Sequence, residues 1–473
     1  MSLIIASVHG EVPEQLGGAD VLEIRIDSLS TEDAIAQLPE LLDSSSIPTI
    51  VTCRSISEGG MFDGSEEERV SVYRAALDCQ NPPRYIDIEY EILSRHPLML
   101  DALASDHTGI ILSWHDMKGR PNDLLQRAKE MQDIQGVDVV KMVWRARSIR
   151  DNFEAFSLLQ SRQQPMIAFC MGKYGVMSRV LAPKFGGFAT YATLEGKQPT
   201  ASGQLSVNEL RSLYNVAAIN KETKVYGVIG NSVEHSASPA FHNAAFQAAN
   251  KNAVYLPLSI PAGWEHLKAS VLELRETDSL HFSGASVTIP HKEHMFNLVD
   301  IADEQSTLAK ATNTITIEDK MSLGNNTDIK ALASLAQYAK QVLILGGGGV
   351  ARAAIVAMQS VGARVYVATR RIEQAEQLAK EFSCNVACDK TCSLDTIINC
   401  TPVGMEGGSN TEDNPLSSLA SWCTLDPSML VIDTVYKPRE TPLVVQAKSV
   451  GCTTITGDEM FRLQAVEQQK IWS

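Results

Sequence analysis

The chemistry in this 473-residue chain gathers around a few lysines, a histidine and the charges near them. Lys141 sits in the middle of DVVKMVW (138–144), with apolar residues on both sides. A lysine so placed points into a barrel or its mouth, where desolvation lowers its pKa. A neutral amine in a dry pocket is what imine formation with a ketone requires. The plainer reading is a strand-end lysine whose head reaches water. Its companions favour the first reading. Glu23, Arg25 and Asp27 alternate along one strand and so face one side, which is costly inside a fold unless they form a site. Arg54 and His115 end two more strands, and Arg179 follows the turn after another. One imidazole, one amine and several arginines at strand ends suit an imine mechanism on a polyhydroxy carboxylate.

The second half carries different chemistry. Gly346, Gly347, Gly348, Gly349 and Ala351 form a GxGxxA run between a strand and a helix, a dinucleotide fingerprint whose amides cradle a pyrophosphate. About 20 residues on, an NAD enzyme carries an acid on the ribose. This chain has Thr369-Arg370-Arg371 there, which suits a 2′-phosphate and favours NADP over NAD, with solvated surface arginines as the plainer alternative. Ser236 and Ser238 lie in a turn before a helix, either as an anion site or as ordinary caps. Thr288 and Lys292 flank a proline turn, and Asp328 follows in GNNTD. A lysine and an aspartate on adjacent segments can move the proton of a hydroxyl being oxidised, or can be a simple ion pair between domains.

These side chains need two kinds of scaffold. Residues 3–8, 21–27, 48–54, 84–90, 109–116, 138–144, 165–171 and 188–192 are eight short apolar runs, with helical patterns between several, such as 66–79 and 122–135. Eight βα units in series predict a (β/α)8 TIM barrel with its site at the strand C-termini. A helix over 206–219 closes it, and a boundary falls near 220–223. Domains of 1–220, 224–328 and 329–456 follow: a barrel, a βαβ-patterned substrate domain and a Rossmann domain. The C-terminal helix 457–473 returns to the substrate domain.

Composition narrows the partners. A net charge of −15 and a pI near 5.2 argue against nucleic acid while allowing anionic small molecules in an arginine-lined cleft. The nine cysteines contain no CxxC pair, and the Cys384, Cys388, Cys392 spacing fits no usual zinc site, so free thiols and no bound metal are expected. No apolar run spans a membrane and the N-terminus has no basic leader, which reads as a soluble, cytoplasmic chain.

The motifs also carry resemblances. Residues 1–218 resemble type I 3-dehydroquinate dehydratase, through ExRxD (23–27), TCRSISEGG (52–60), SWHD (113–116), VVKMV (139–143), MGKYGVMSR (171–179), FGGFATYA (185–192) and TASGQ (200–204). The resemblance implies an imine on Lys141 and His115 as general acid/base. It also implies Glu23, Arg25, Arg54, Thr200 and Gln204 around the substrate, Arg179 on its carboxylate, and no cofactor. Thr200 and Tyr191 stand where that family usually has Ser and Phe. Residues 224–473 resemble shikimate dehydrogenase, through HSASP (235–239), SVTIPHKE (286–293), ATNTI (311–315), GNNTD (324–328), GGGGVAR (346–352), INCTPVG (398–404), VYKPRETP (435–442) and TGDEMFRLQA (456–465). That resemblance implies Lys292 and Asp328 as the catalytic pair, with Ser236, Ser238, Thr288, Asn313 and Gln464 on substrate. It puts Tyr436 and Gly457 where nicotinamide meets substrate. Ser286 departs from a usual Asn, Thr369-Arg370-Arg371 from Asn-Arg-Thr, and Gln374 from Arg. The joint implication is dehydration of 3-dehydroquinate, then NADPH-dependent reduction of 3-dehydroshikimate to shikimate. The alternative is a quinate/shikimate dehydrogenase with relaxed cofactor choice. A catalytically dead half is disfavoured by the surviving acid/base residues, and a metal-dependent lyase by the lack of ligand spacing.

Overall fold

The computed structural model describes residues 2–196, 203–387, 393–408 and 410–473. Two compact units emerge, Met1–Val225 with Phe246–Ser259 and Tyr226–Ala245 with Ile260–Ser473.

All eight expected barrel strands form. They are β1 (Leu3–His9), β2 (Val21–Arg25), β3 (Thr49–Thr52), β4 (Tyr85–Glu89), β5 (Gly109–Asp116), β6 (Val139–Arg145), β7 (Met166–Met171) and β8 (Ala189–Thr193). They pair in parallel in the order β7-β6-β5-β4-β3-β2-β1-β8, and Phe188 N donates to Met166 O at 2.8 Å between the two outer strands. Near-complete burial of every strand matches their β-branched, apolar composition. The helix expected over 206–219 does not form as one element. Glu209–Leu213 is a π-helical turn and Val216–Ala218 a 3-10 turn. Between them Asn215 adopts φ 48°, a left-handed conformation that asparagine tolerates and a continuous helix does not.

The second sheet is mixed. It comprises β9 (Lys224–Gly230), β10 (Ala253–Ser259), β11 (Phe282–Val287), β12 (Ile301–Ala302), β13 (Thr314–Glu318) and β14 (Met321–Asn325), in the order β10-β9-β11-β13-β14-β12. The βαβ expectation for this region missed the antiparallel hairpin β13–β14. Its two-residue turn, Asp319-Lys320, has φ of 47° and 65°, the geometry that matches strand twist, but without the glycine that would mark it in sequence.

The third sheet holds β15 (Gln341–Leu345), β16 (Arg364–Ala368), β17 (Asn385–Val386), β18 (Thr396–Asn399), β19 (Leu430–Asp433) and β20 (Thr453–Ile455). All pair in parallel in the order β17-β16-β15-β18-β19-β20. This doubly wound order reverses between β15 and β18, so a crevice opens at their carboxyl ends. The C-terminal helix Gly457–Trp472 packs along helix Thr327–Leu335, and its Trp472 indole donates to Ile315 O at 3.1 Å.

Candidate active sites

The barrel interior converges on one cavity lined by charged side chains. Glu23, Arg25, Arg54, Glu58, His115, Lys141, Arg179 and Gln204 all line it. Lys141 lies on β6, and parallel pairing sets it level with Ser113 on β5 and Ile167 on β7. Nζ donates to Asp87 at 3.0 Å and Glu23 at 3.4 Å, and lies 4.0 Å from the Tyr191 ring centroid; Asp87 is the partner that the sequence did not announce. The apolar flanks DVV and MVW belong to the strand, while the carboxylates arrive from β2 and β4.

Arg54 is the hub of this network. Nη2 meets Asp87 at 2.7 Å, and Nη1 meets Ser113 at 2.7 Å and Glu58 at 3.1 Å. Glu23 also accepts from Ser7 and Thr52. Asp27 lies beyond the end of β2 and clamps Arg25 in a bidentate pair at 2.6 and 2.8 Å, which orients that guanidinium. Glu58 reaches His115 Nδ1 at 2.8 Å, leaving Nε2 as the nitrogen available to a substrate. Burial, then Arg54, Lys141 and Arg25, hold the His115 imidazole well below its ordinary range, which favours its neutral form. Burial raises Glu58 well above the carboxylate range despite Arg54. Arg179 is only 1% exposed and stacks over Phe169 at 4.4 Å. Its Nε and Nη2 have no hydrogen-bond partner among the described residues, and burial lowers it to about 10. Guanidinium donors of this kind pair well with a carboxylate. Thr200 lies outside the described residues.

In the dehydrogenase-like half, Lys292 Nζ meets Asp328 Oδ2 at 2.5 Å, both buried. Lys292 begins helix Lys292–Leu298, and Asp328 lies in the first turn of Thr327–Leu335. Asn313 accepts from Thr327 N at 2.9 Å and donates to Thr327 Oγ1, with Gln464 at 3.5 Å. Ser236 Oγ meets Ser238 Oγ at 3.2 Å before helix Ser238–Ala248, and Thr288 is half-buried after β11. Ser286 donates to Gln468 at 2.8 Å, a bond its hydroxyl makes within the fold.

The glycine loop fits a dinucleotide. Gly346 has φ 113°, which only glycine adopts readily, and a Cβ there would meet the Cys400 backbone at 3.1 Å. Gly348, which precedes helix Gly349–Ser360, has nothing within 4 Å of a Cβ position. Ala351 is buried beneath it. Thr369 Oγ1 bonds Arg371 O, and Arg370 and Arg371 are exposed at the end of β16, available to a phosphate. Gly457 permits close packing, because a Cβ would sit 2.3 Å from Val435 O, beside Tyr436.

Known proteins match both halves. The type I 3-dehydroquinase family matches residues 8–221, and the shikimate dehydrogenase substrate binding domain matches residues 228–315. A bifunctional 3-dehydroquinate dehydratase/shikimate dehydrogenase of Arabidopsis thaliana, named chloroplastic, is 34% identical, covering 96% of this chain and 78% of its own. This chain belongs to that bifunctional family. A shikimate dehydrogenase (NADP(+)) of Syntrophobacter fumaroxidans is 36% identical over 53% of this chain and 87% of its own. The solved dehydroquinate dehydratase and shikimate dehydrogenase from S. pombe covers 100% of this chain and 95% of its own, at 23% identity and a TM-score of 0.41. No helix among the described residues of this bifunctional family member is long and apolar enough to cross a membrane. No group of three or more His, Cys, Asp or Glu able to hold a metal occurs among them either.

Several residues at the sites escaped sequence reasoning. Asp87 and Glu89 alternate along YIDIE as Glu23 and Arg25 do on β2, so the same signal was present. Glu58 follows Arg54 at i+4. Thr327 and Gln468, by contrast, join the dehydrogenase site only through tertiary packing.

Proposed function

We propose that this bifunctional family member dehydrates 3-dehydroquinate to 3-dehydroshikimate in its barrel and reduces that product to shikimate in its second half. The observation carrying the reading is the cavity that gathers a lysine amine, an imidazole and a buried arginine with two nitrogens that meet no acceptor among the described residues. Lys141 attacks the substrate ketone and releases water as the imine forms. His115 takes the proton from the carbon next to the imine and returns it to the departing hydroxyl, and water then frees Lys141. Glu23, Arg25, Arg54, Thr200 and Gln204 hold hydroxyls, and Arg179 holds the carboxylate. This half uses no cofactor and no metal.

In the second half Lys292 and Asp328 deliver the proton to the oxygen that becomes the new hydroxyl. Ser236, Ser238, Thr288, Asn313, Tyr436 and Gln464 orient the substrate. Residues 346–349, Ala351 and Gly457 hold NADP, with Thr369, Arg370 and Arg371 on its 2′-phosphate. When bound, NADPH supplies the hydride for the carbonyl carbon. We divide the chain into a barrel (1–220), a substrate domain (224–328 with 457–473) and a Rossmann domain (329–456). Relaxed cofactor choice is supported by Gln374, whose amide donates to Gly347 O at 3.1 Å and adds no charge to the phosphate subsite.

The test supplies 3-dehydroquinate with NADPH and follows its absorbance, with NADH in parallel. Shikimate formation supports both halves. Turnover only after adding 3-dehydroshikimate refutes the barrel reading, and none at all refutes the dehydrogenase. Borohydride with substrate should fix an adduct on wild type and none on Lys141→Ala; equal adducts would remove Lys141 from its role.

A further inference from the structure

We propose that Gly349 is a positioning residue for the proton-transfer pair: the first turn of the cofactor-loop helix is the seat that holds Lys292 against Asp328. This rests on the dehydrogenase reading above and adds to it a physical coupling between the glycine loop and the reacting lysine.

Gly349 has no positive φ, so its backbone does not require glycine. As the first residue of helix Gly349–Ser360 it would even gain from alanine by helix propensity. The contact explains its size. A Cβ there would lie 2.6 Å from Lys292 Cβ, 3.2 Å from Cδ and 3.4 Å from Cγ. These atoms belong to the root of the side chain, not its mobile tip. Nor is the lysine backbone free to retreat. Lys292 O accepts from Thr312 N at 2.9 Å, and the ring of the preceding His291 bonds Ile260 O at 2.9 Å.

The next residue repeats the contact. Glu293 pairs with Arg352 Nε at 3.2 Å, while Arg352 Nη1 reaches Glu381 at 3.0 Å. Glu381 also pairs with Lys310 at 2.7 Å. Positions 349 and 352 lie three apart, on one face of their helix. Two consecutive residues, 292 and 293, therefore rest on that face. With its root backed by Gly349, the Lys292 chain extends to Asp328 at 2.5 Å. An added methyl displaces either the lysine stem or the helix turn, and a shift near 1 Å is enough to spoil proton-transfer geometry.

The experiment is a double-mutant cycle with Gly349→Ala and Lys292→Ala, read as kcat for shikimate oxidation at saturating NADP. Gly349→Ala should lower kcat by about tenfold or more in the natural background. In the Lys292→Ala background it should lower it by less than about twofold. NADPH fluorescence titration of the full chain gives a reading independent of turnover, and any loss of affinity caused by Gly349→Ala should be the same in both backgrounds. Shikimate turnover by the natural chain tests the underlying reading separately. An equal kcat loss in both backgrounds, or a loss confined to NADPH affinity, overturns the role of Gly349 alone.

Discussion

Replacing Asp87 by Asn removes one charge from the centre of the barrel network and almost none of its shape. The carboxylate accepts from Arg54 at 2.7 Å, Ser113 at 2.5 Å and Lys141 at 3.0 Å, with no exposed side-chain surface. Burial alone would raise its pKa, but Arg54 and then Lys141 outweigh it and hold the group at about 2, against 3.8 ordinarily. That fall is worth about 2 kcal/mol to the ionised form. Because the folded pKa is the lower one, the contribution is complete above pH 3.8 and is lost as pH falls toward 2. Asp87→Asn should therefore lose about 2 kcal/mol or somewhat more at pH 7, since two buried cations are left with less opposing charge. The gap should narrow below pH 4. Urea unfolding followed by dehydratase activity at pH 7, and by circular dichroism across pH, measures both. Dehydratase kcat should fall by about tenfold or more as Lys141 loses its anchor, while NADPH-dependent reduction of 3-dehydroshikimate by the same chain persists. Equal midpoints at pH 7, or a gap that widens in acid, would refute the assignment of Asp87 as the counter-ion of Arg54 and Lys141.

Asp433 carries the opposite sign. Burial pushes it up to about 6, only partly opposed by bonds from Thr441, Val435 and Asn399, so ionisation costs stability as pH rises from 3.8 through 6. Asp433→Asn should raise the urea-unfolding free energy at pH 8 by up to about 3 kcal/mol, with the difference gone below pH 4; a lower midpoint at pH 8 would contradict this. Arg370→Ala should raise the KM for NADPH well beyond its effect on the KM for shikimate, and equal effects would place that exposed arginine outside the phosphate subsite.

The barrel strands were legible because each is a short β-branched run, and parallel strands buried on both faces keep that signal undiluted. Lys141 and His115 stood out because each interrupts such a run, although a strand-end lysine is the plainer reading of Lys141 taken alone and only its companions favour the other. What stayed hidden was pairing. Nothing around Lys141 in sequence announces Asp87, which lies 54 residues away on β4. The β13–β14 hairpin was missed because Asp319-Lys320 reads as a polar stretch rather than a turn. The helix expected over 206–219 failed at one left-handed asparagine, a choice made by packing that the apolar period does not record. In the glycine run the composition pointed to a cofactor loop, whereas the neighbours of each glycine show three separate duties. Gly346 supplies a backbone angle, Gly348 leaves space and Gly349 makes room for a lysine.

On the proposed reading, Arg179 couples the stability of the fold to its substrate. Its guanidinium is sealed from water, with two nitrogen positions facing no acceptor among the described residues. A substrate carboxylate held there would relieve that cost in the folded chain alone. By mass action, free ligand at a hundred times its dissociation constant adds about 3 kcal/mol to the stability of that fold. On that reading, the resistance of the chain to a protease should rise with added substrate, so occupancy of one side chain's donors would be read out as the lifetime of the whole fold.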